Sequence, residues 1–198
     1  MKTPDIYPIV LAAGRSPRLR VLKALAQLGG RNAFEIAVEN CAGLQRPIVV
    51  LGYQAAGLRR HVPPGARIVI HRGWRAGQLS SLLAGLRRVP STAAFLLYPV
   101  DLVFLTAPLI QRLVRAFERR RKGQEIVMPR FRGRAGHPAI LSARVRKDLR
   151  HATSAREAVY RDLRRVLFVP VRSAAIWRDL VANPARSRSA RKSRNGKR

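Results

Sequence analysis

Gly14, Arg15, Arg18 and Lys23 stand in one short stretch, directly after the apolar run "YPIVLAA" that begins at Tyr7. A glycine lets backbone N–H groups come close to an anion, and long cations a few residues on can clamp it, so these residue types suit a phosphate chain. Two better-known phosphate loops do not fit, because neither G-x-x-x-x-G-K-[ST] nor G-x-G-x-x-G can be laid over Gly14. The second candidate for chemistry is Asp101, the single charged side chain in the apolar stretch 92–110. A carboxylate buried there needs a cation or hydrogen bonds, which leaves two readings: a metal ligand, or a cap on the turn after a strand. Cys41 is the one cysteine, so no intramolecular disulfide forms and no Cys/His ligand set assembles around it, which fits a reducing cytoplasm.

Positions 14 and 101 must be brought together by the elements around them. Short apolar runs recur along the chain: "YPIVLAA", "RPIVVLG", "ARIVI", "AAFLLYP", "QEIVMP" and "VLFVPV". Continuous apolar runs, unlike alternating ones, suit strands covered on both faces. Between them, residues 34–41, 78–88 and 106–122 read as helices. The last takes Thr106 as its N-cap and gathers Leu109, Ile110, Leu113, Val114 and Phe117 on one stripe, leaving Arg112, Arg115, Arg119 and Lys122 on a solvated face. Such alternation predicts an α/β three-layer sandwich, a Rossmann-like and mainly parallel sheet with helices on both faces and ligands at the carboxyl ends of its strands.

A chain of 198 residues is long enough for one domain, expected over 1–184. Residues 185–198 hold seven cations, no acid and no large apolar side chain, and are expected to be a disordered basic tail. Forty basic against ten acidic residues give +30, yet 34 of the forty are arginine and the excess runs through the whole chain. That predicts salt-sensitive, non-specific attraction to polyanions, nucleic acid included, and no dedicated nucleic-acid module is visible. No membrane span is expected: the opening "MKTPDIYP" is not built as a signal peptide, and stretch 92–110 carries Asp101 near its middle and two prolines.

The segment "LAAGRSPRLRVLK" resembles the opening signature of the GT-A-like nucleotidyltransferases, L-A-A-G-x-x-x-R-(M/L)-G-x-x-K, at Leu11, Ala12, Ala13, Gly14, Arg18, Leu19 and Lys23. Further pieces follow in that group's order. "HRGWRAGQLSSLLAGL" is similar to its N-x-x-W-x-x-G-x-x-x-S-L-x-x-G-L segment through Trp74, Gly77, Ser81, Leu82, Gly85 and Leu86. "YPVD" resembles the strand that ends in its metal-binding aspartate, "GRAGHPAIL" its R-G-H-P loop, and "WRDLVANPA" its late D-(I/L)-x-T-P-E segment through Asp179, Leu180 and Pro184. Within the group the chain looks most like the molybdenum cofactor cytidylyltransferases and their guanylyl relatives.

This resemblance implies a Mg²⁺-dependent enzyme that moves a nucleoside monophosphate, CMP from CTP first of all, onto the phosphate of molybdopterin and releases pyrophosphate. GTP, or a sugar phosphate as acceptor, stays open, and a downstream molybdoenzyme is an implied partner. The acceptor brings its own nucleophile, so no activated Ser, Cys or His is needed; the protein supplies positioning and charge neutralisation. Lys23 and Arg18 are implied on the triphosphate, Asp101 and Asp179 on the metal, and Leu11, Ala12, Ala13, Gly14 and Arg15 in the nucleotide-binding turn. Gly77, Ser80 and Ser81 open a predicted helix, where serines cap; the resemblance adds a contact to the base. His137, with Gly136, falls where the family meets its pterin substrate, and Arg130, Arg132 and Arg134 suit an anionic acceptor. Trp74 is read as core.

Some positions depart from the pattern. Arg20 replaces a loop glycine, Leu102 and Val103 replace the usual pair after the aspartate, and Ala182, Asn183 and Ala185 erode the late segment. They keep two further readings open, a degenerate nucleotide-binding regulator and a basic nucleic-acid-binding protein.

Overall fold

The computed structural model describes residues 5–15, 23–25 and 27–178. Arg18, Arg20, Asp179, the boundary expected at 184 and the segment 185–198 lie outside the described residues.

All six apolar runs form strands: β1 (Ile6–Ala12), β4 (Ile48–Leu51), β5 (Arg67–Ile70), β6 (Ala94–Pro99), β7 (Ile126–Phe131) and β10 (Val166–Pro170). With β8 (Arg134–Ala135) and β9 (Ala139–Leu141) they make one mixed, mostly parallel sheet in the order β10-β7-β9-β6-β1-β4-β5, with β8 paired to β7. A small hairpin of β2 (Gln27–Leu28) and β3 (Arg31–Asn32) stands apart. Side chains alternate across β1: Ile6, Val10 and Ala12 enter one apolar core, Ile9, Leu11 and Ala13 the other. The first core is closed by helices α1 (Ala33–Asn40) and α4 (Ala107–Glu118), the second by α3 (Gln78–Leu86), α5 (Val145–His151) and α6 (Ala155–Tyr160). A single turn, α2 (Ala55–Leu58), seals the first core with Leu58. This is the expected three-layer sandwich.

Helix α1 starts one residue earlier than its apolar pattern suggests. The Asn32 side chain accepts from the N–H groups of Phe34 at 2.9 Å and Glu35 at 3.0 Å, while the Glu35 carboxylate accepts from the Asn32 N–H at 2.6 Å. Helix α3 ends at Leu86 instead of 88, just ahead of Pro90. Helix α4 stops at Glu118 instead of 122, because the Arg120 guanidinium turns back to donate to the carbonyls of Phe117 at 2.6 Å and Gln124 at 2.8 Å. Thr106 occupies its N-cap position but its side chain makes no capping bond. The cationic face of α4 is exposed, and Ile110, Leu113, Val114 and Phe117 are buried, as expected.

The β2–β3 hairpin, β8 and the single turn α2 were not expected from the sequence, nor were two larger parts. Strand β9 is three residues long and runs antiparallel between β6 and β7. Helices α5 and α6 are short and charged, below the length at which periodicity is legible. No helix among the described residues is long and apolar enough to cross a membrane.

Candidate active site

Register decides which residues meet at the carboxyl edge of the sheet. Strand β1 pairs in parallel with β6 so that Leu11 lies opposite Pro99, which places Ala13 and Asp101, each two residues further on, side by side. Two backbone bonds fix the exit of β1: Val100 N–H, from the exit of β6, donates to the Leu11 carbonyl at 3.2 Å, and Tyr53 N–H, just after β4, to the Ala13 carbonyl at 2.9 Å. At these exits opens a cleft of about 400 Å³.

One part of the cleft lining is the turn after β1, from Leu11 to Arg15; the part beside it is Pro99, Val100 and Asp101. Arg75, Gly77, Gln78 and Ser81 close a third side, with Trp74 beside them and Ala24 and Leu58 at the floor. Asp101 is only partly buried here, so the strong burial inferred from its apolar surroundings is corrected: the strand ends and the carboxylate faces a cleft. Lys23 opens a short 3₁₀ turn, Lys23–Leu25, and its side chain lies outside the described set. Among the described residues no group of three or more His, Cys, Asp and Glu side chains gathers, and Asp101 is the acid that lines the cleft.

Gly77 shapes the third side. It sits at the N-cap of α3 with φ 102° and ψ −177°, a combination essentially restricted to glycine. The two serines do not cap. Ser80 and Ser81 donate to the Gly77 carbonyl at 2.8 and 3.4 Å, and the first turn of α3 receives no side-chain cap. Ser80 turns away to meet His71 Nε2 at 3.0 Å, whereas Ser81 lines the cleft. With its hydroxyl hydrogen on Gly77, Ser80 accepts from the Nε2–H form of His71.

Trp74 is half-buried against the second core and also lines the cleft, so the core reading holds for part of the ring only. It approaches Gly52 so closely that a Cβ there would stand 2.6 Å from the Trp74 Cβ and 2.7 Å from the Ala13 carbonyl oxygen. Tyr53 packs edge-on to Trp74 at 5.5 Å, and Arg15 and Arg75 lie over the two rings at 5.8 and 5.3 Å.

Gly136 and His137 do not line this cleft; they form a second group beside it. His137 precedes Pro138 through a cis peptide bond and donates its N–H to the Ile176 carbonyl at 2.7 Å. Its Nδ1, like Trp177 Nε1, is buried with no hydrogen-bond partner among the described residues. Burial lowers the His137 pKa below the ordinary value, and the nearby Asp101 charge opposes that shift, which ties this group electrostatically to the cleft. Around it, Arg132 lies over Phe131, Arg134 over Trp177 and Arg130 over Phe168, at 5.1 to 5.3 Å, all three arginines exposed.

Missed from the sequence were Arg75 and Gln78 as lining residues. Their place inside the "WRAGQ" segment was the available signal. The His71–Ser80 contact had none.

A mostly parallel sheet with a glycine-turn cleft at the carboxyl ends of its first and sixth strands defines an α/β nucleotide-binding protein of nucleotidyltransferase type. The chain belongs to the MobA-like NTP transferase domain family, whose pattern matches residues 8–173. It is 32% identical over 152 residues to nicotine blue oxidoreductase of Paenarthrobacter nicotinovorans, covering 72% of this chain and 74% of that protein. In fold it is similar to a nucleotidyl transferase from Methanothermobacter thermautotroptrophicus, with a TM-score of 0.77, 20% identity and coverage of 95% and 96% of the two chains. Rv0371c of Mycobacterium tuberculosis H37Rv, solved in complex with manganese, superposes with a TM-score of 0.66 at 24% identity over 84% of this chain and 89% of that one.

Proposed function

We propose that this chain transfers a nucleoside monophosphate, CMP from CTP in the first instance, to the phosphate of molybdopterin. The observation that carries the reading is that one cleft brings together the turn Leu11–Arg15, the uncapped first turn of α3 behind Gly77, and Asp101. A triphosphate has backbone N–H groups at Gly14 and a guanidinium at Arg15 to meet it. The base lies toward Gly77, Gln78 and Ser81, where the side chain of Gln78 can both donate and accept. Arg18 and Lys23, which follow the turn in sequence, are assigned to the triphosphate.

The acceptor phosphate oxygen attacks the α-phosphorus. A new phosphoanhydride bond forms as the α–β anhydride bond breaks, and pyrophosphate leaves with the electron pair. The chain's part is to align the two phosphates and stabilise the charge on the leaving group. Arg132, Arg134 and His137, beside the cleft on the Asp101 side, are assigned to the acceptor.

A divalent ion fits this site. Asp101 is a hard oxygen donor on the cleft wall, and Mg²⁺ is commonly held by one or two carboxylates together with substrate phosphates. Asp101, with Asp179, would hold it, and the ion would neutralise charge on the phosphates during transfer.

A redox reading has one observation in its favour, the 32% identity to a protein named as an oxidoreductase. Thermal unfolding with CTP, GTP, ATP and UTP, each with and without Mg²⁺ or Mn²⁺, separates the two. A specific nucleotide at a hundred times its Kd adds roughly 2.7 kcal/mol. A shift confined to one triphosphate and dependent on the metal, followed by pyrophosphate release when molybdopterin is added, supports the transferase. Equal small shifts with all four that vanish in salt, together with oxidation of a reduced nicotinamide nucleotide, would decide for the redox reading.

A further inference from the structure

At the amino ends of β6 and β7, the edge of the sheet opposite the Gly14–Asp101 cleft, two further clefts adjoin. One, of about 310 Å³, is lined by Arg87, Arg146 and Arg150 with Ser91. The other, of about 400 Å³, is lined by Arg120, Arg121, Lys122 and Arg144 with Thr92. Ser91 and Thr92 are consecutive residues of the turn that leads into β6, so that turn forms the ridge between the clefts. Arg146 braces it from below, donating to the carbonyls of Val89 at 3.3 Å, Pro90 at 2.6 Å and Ala93 at 3.4 Å.

Carboxylates do not cancel this charge. The first cleft has no acid in its lining, and Asp148 on the same helix as Arg146 is taken by Arg165 at 2.7 Å. In the second, Glu125 is buried and bound by the Ser142 hydroxyl and by Arg144 at 3.2 Å, while the Arg144 side chain stays 76% exposed. The cations also press on one another. Beyond the larger effect of burial, Arg150 lowers the pKa of Arg146, and Arg144 that of Arg120, against the opposing pull of Glu125. Bound anions would relieve that repulsion. Arg87, Arg121 and Arg150 bring planar forks that match phosphate oxygens in pairs, while Arg120 and Arg146 add their charge with N–H groups already donated to backbone carbonyls.

We propose that this edge of the sheet holds a nucleic-acid strand by its phosphates, one stretch of backbone in each cleft and the Ser91–Thr92 ridge between them. Concave sites separated by a ridge suit a chain of spaced anions and not a flat charged surface. Bases are not read here: the rings beneath these arginines, Phe117 under Arg120 and Phe95 under Arg146, are 7% and 0% exposed and offer no face for stacking. The site is separate from the nucleotide cleft, so it stands whatever that cleft transfers.

The test measures anisotropy of labelled dT and dA oligonucleotides of about 20 residues with the full chain, from roughly 50 to 200 mM salt. Three double variants are compared: Arg87→Gln with Arg150→Gln, Arg121→Gln with Lys122→Gln, and, as a control of equal charge, Arg112→Gln with Arg115→Gln on the outer face of α4. All six side chains are exposed, and equal unfolding midpoints confirm that the folds match. Each lost phosphate contact lowers the log–log salt slope by about 0.7, so each cleft variant is expected to lower it by about 1.4, equally for dT and dA, with the control unchanged. A control that lowers the slope as much as the cleft variants overturns the proposal. So does displacement of the oligonucleotide by polyglutamate as effective as by inorganic polyphosphate of the same charge, which would assign the edge to an acidic protein.

Discussion

The side-chain amide of Asn40, at the last turn of α1, donates to the hydroxyl of Tyr98 at 3.2 Å and to the carbonyl of Leu105 at 2.8 Å. Tyr98 is fully buried and stands three residues before Asp101; Leu105 stands four after it. One amide therefore clips both ends of the segment that presents Asp101 to the cleft, and the Tyr98 hydroxyl itself reaches the Leu102 carbonyl at 3.5 Å. Burial raises the Tyr98 pKa, with the Asn40 hydrogen bond opposing, so the hydroxyl stays protonated as a donor.

From this follows an ordering of variants. Asn40→Ala leaves the Tyr98 hydroxyl and the Leu105 carbonyl short of a partner, at about 1–3 kcal/mol, whereas Tyr98→Phe removes the two long bonds of the hydroxyl, at 3.2 and 3.5 Å, and keeps the Asn40 bond to Leu105, at about 0.5–1.5 kcal/mol. Urea unfolding should rank them in that order. Transferase activity should fall further in Asn40→Ala than its stability loss explains, because the Asp101 segment is loosened. Activity that tracks only the folded fraction in both variants would remove Asn40 from any positioning role.

Asp101→Asn keeps shape and removes charge. On the proposed reaction it should lower metal-dependent pyrophosphate release on the order of 100-fold or more, with the unfolding midpoint close to that of the parent. Unchanged release would take Asp101 out of the metal site.

Much of this site was legible because its signals are local. The strand before Gly14 is one apolar run and the glycine follows it directly, so the strand and the turn that lines the cleft could be read from Ile9 to Arg15. Asp101 was conspicuous as a lone charge among apolar neighbours. What stayed hidden depends on pairing across the chain: the Asn40–Tyr98 bond spans 58 positions, and β9 is too short to show a pattern. Ser80 and Ser81 misled for a physical reason. Serine near a helix start is read as a cap, but Gly77 takes the N-cap position here and both hydroxyls bond its carbonyl instead.

Gly77→Ala tests the shape of the third wall. Alanine at φ 102° is strained by about 1–3 kcal/mol whatever space surrounds it, and no heavy atom lies within 4 Å of where its Cβ would stand. The expected result is a lower unfolding midpoint together with weaker triphosphate binding, as the first turn of α3 shifts. Gly57→Ala, with open space and no such φ, serves as the comparison and should change neither. Equal binding in both variants would separate Gly77 from the nucleotide.

Cys41 is 2% exposed at the end of α1, and burial pushes its thiol up to about 12 from 9.0. Thiolate is the reactive form, so iodoacetamide at pH 8 should not modify the native chain and should modify it fully in denaturant. The linkage has a definite sign. An acid whose folded pKa is raised stabilises the fold below its unfolded pKa, and that contribution is lost as pH rises above 9. Cys41→Ala should flatten the alkaline limb of stability against pH; an unchanged limb would mean that other groups set it.

His137 gives the acid limb the opposite sign. Burial lowers its folded pKa, so at a pH below its ordinary value the unfolded chain takes up a proton that the folded chain does not. Its share of stability is therefore present above about pH 6.5 and lost as pH falls, until the folded pKa is reached. Replacing it by phenylalanine, a ring of similar breadth that cannot be protonated and leaves no orphaned Nδ1, should make stability between about pH 5 and 7 less dependent on pH. Denaturant midpoints across that window check this. A His137→Phe protein that loses stability toward acid as steeply as the parent would show that His137 is protonated in the fold at little cost, with the charge of Asp101 outweighing burial.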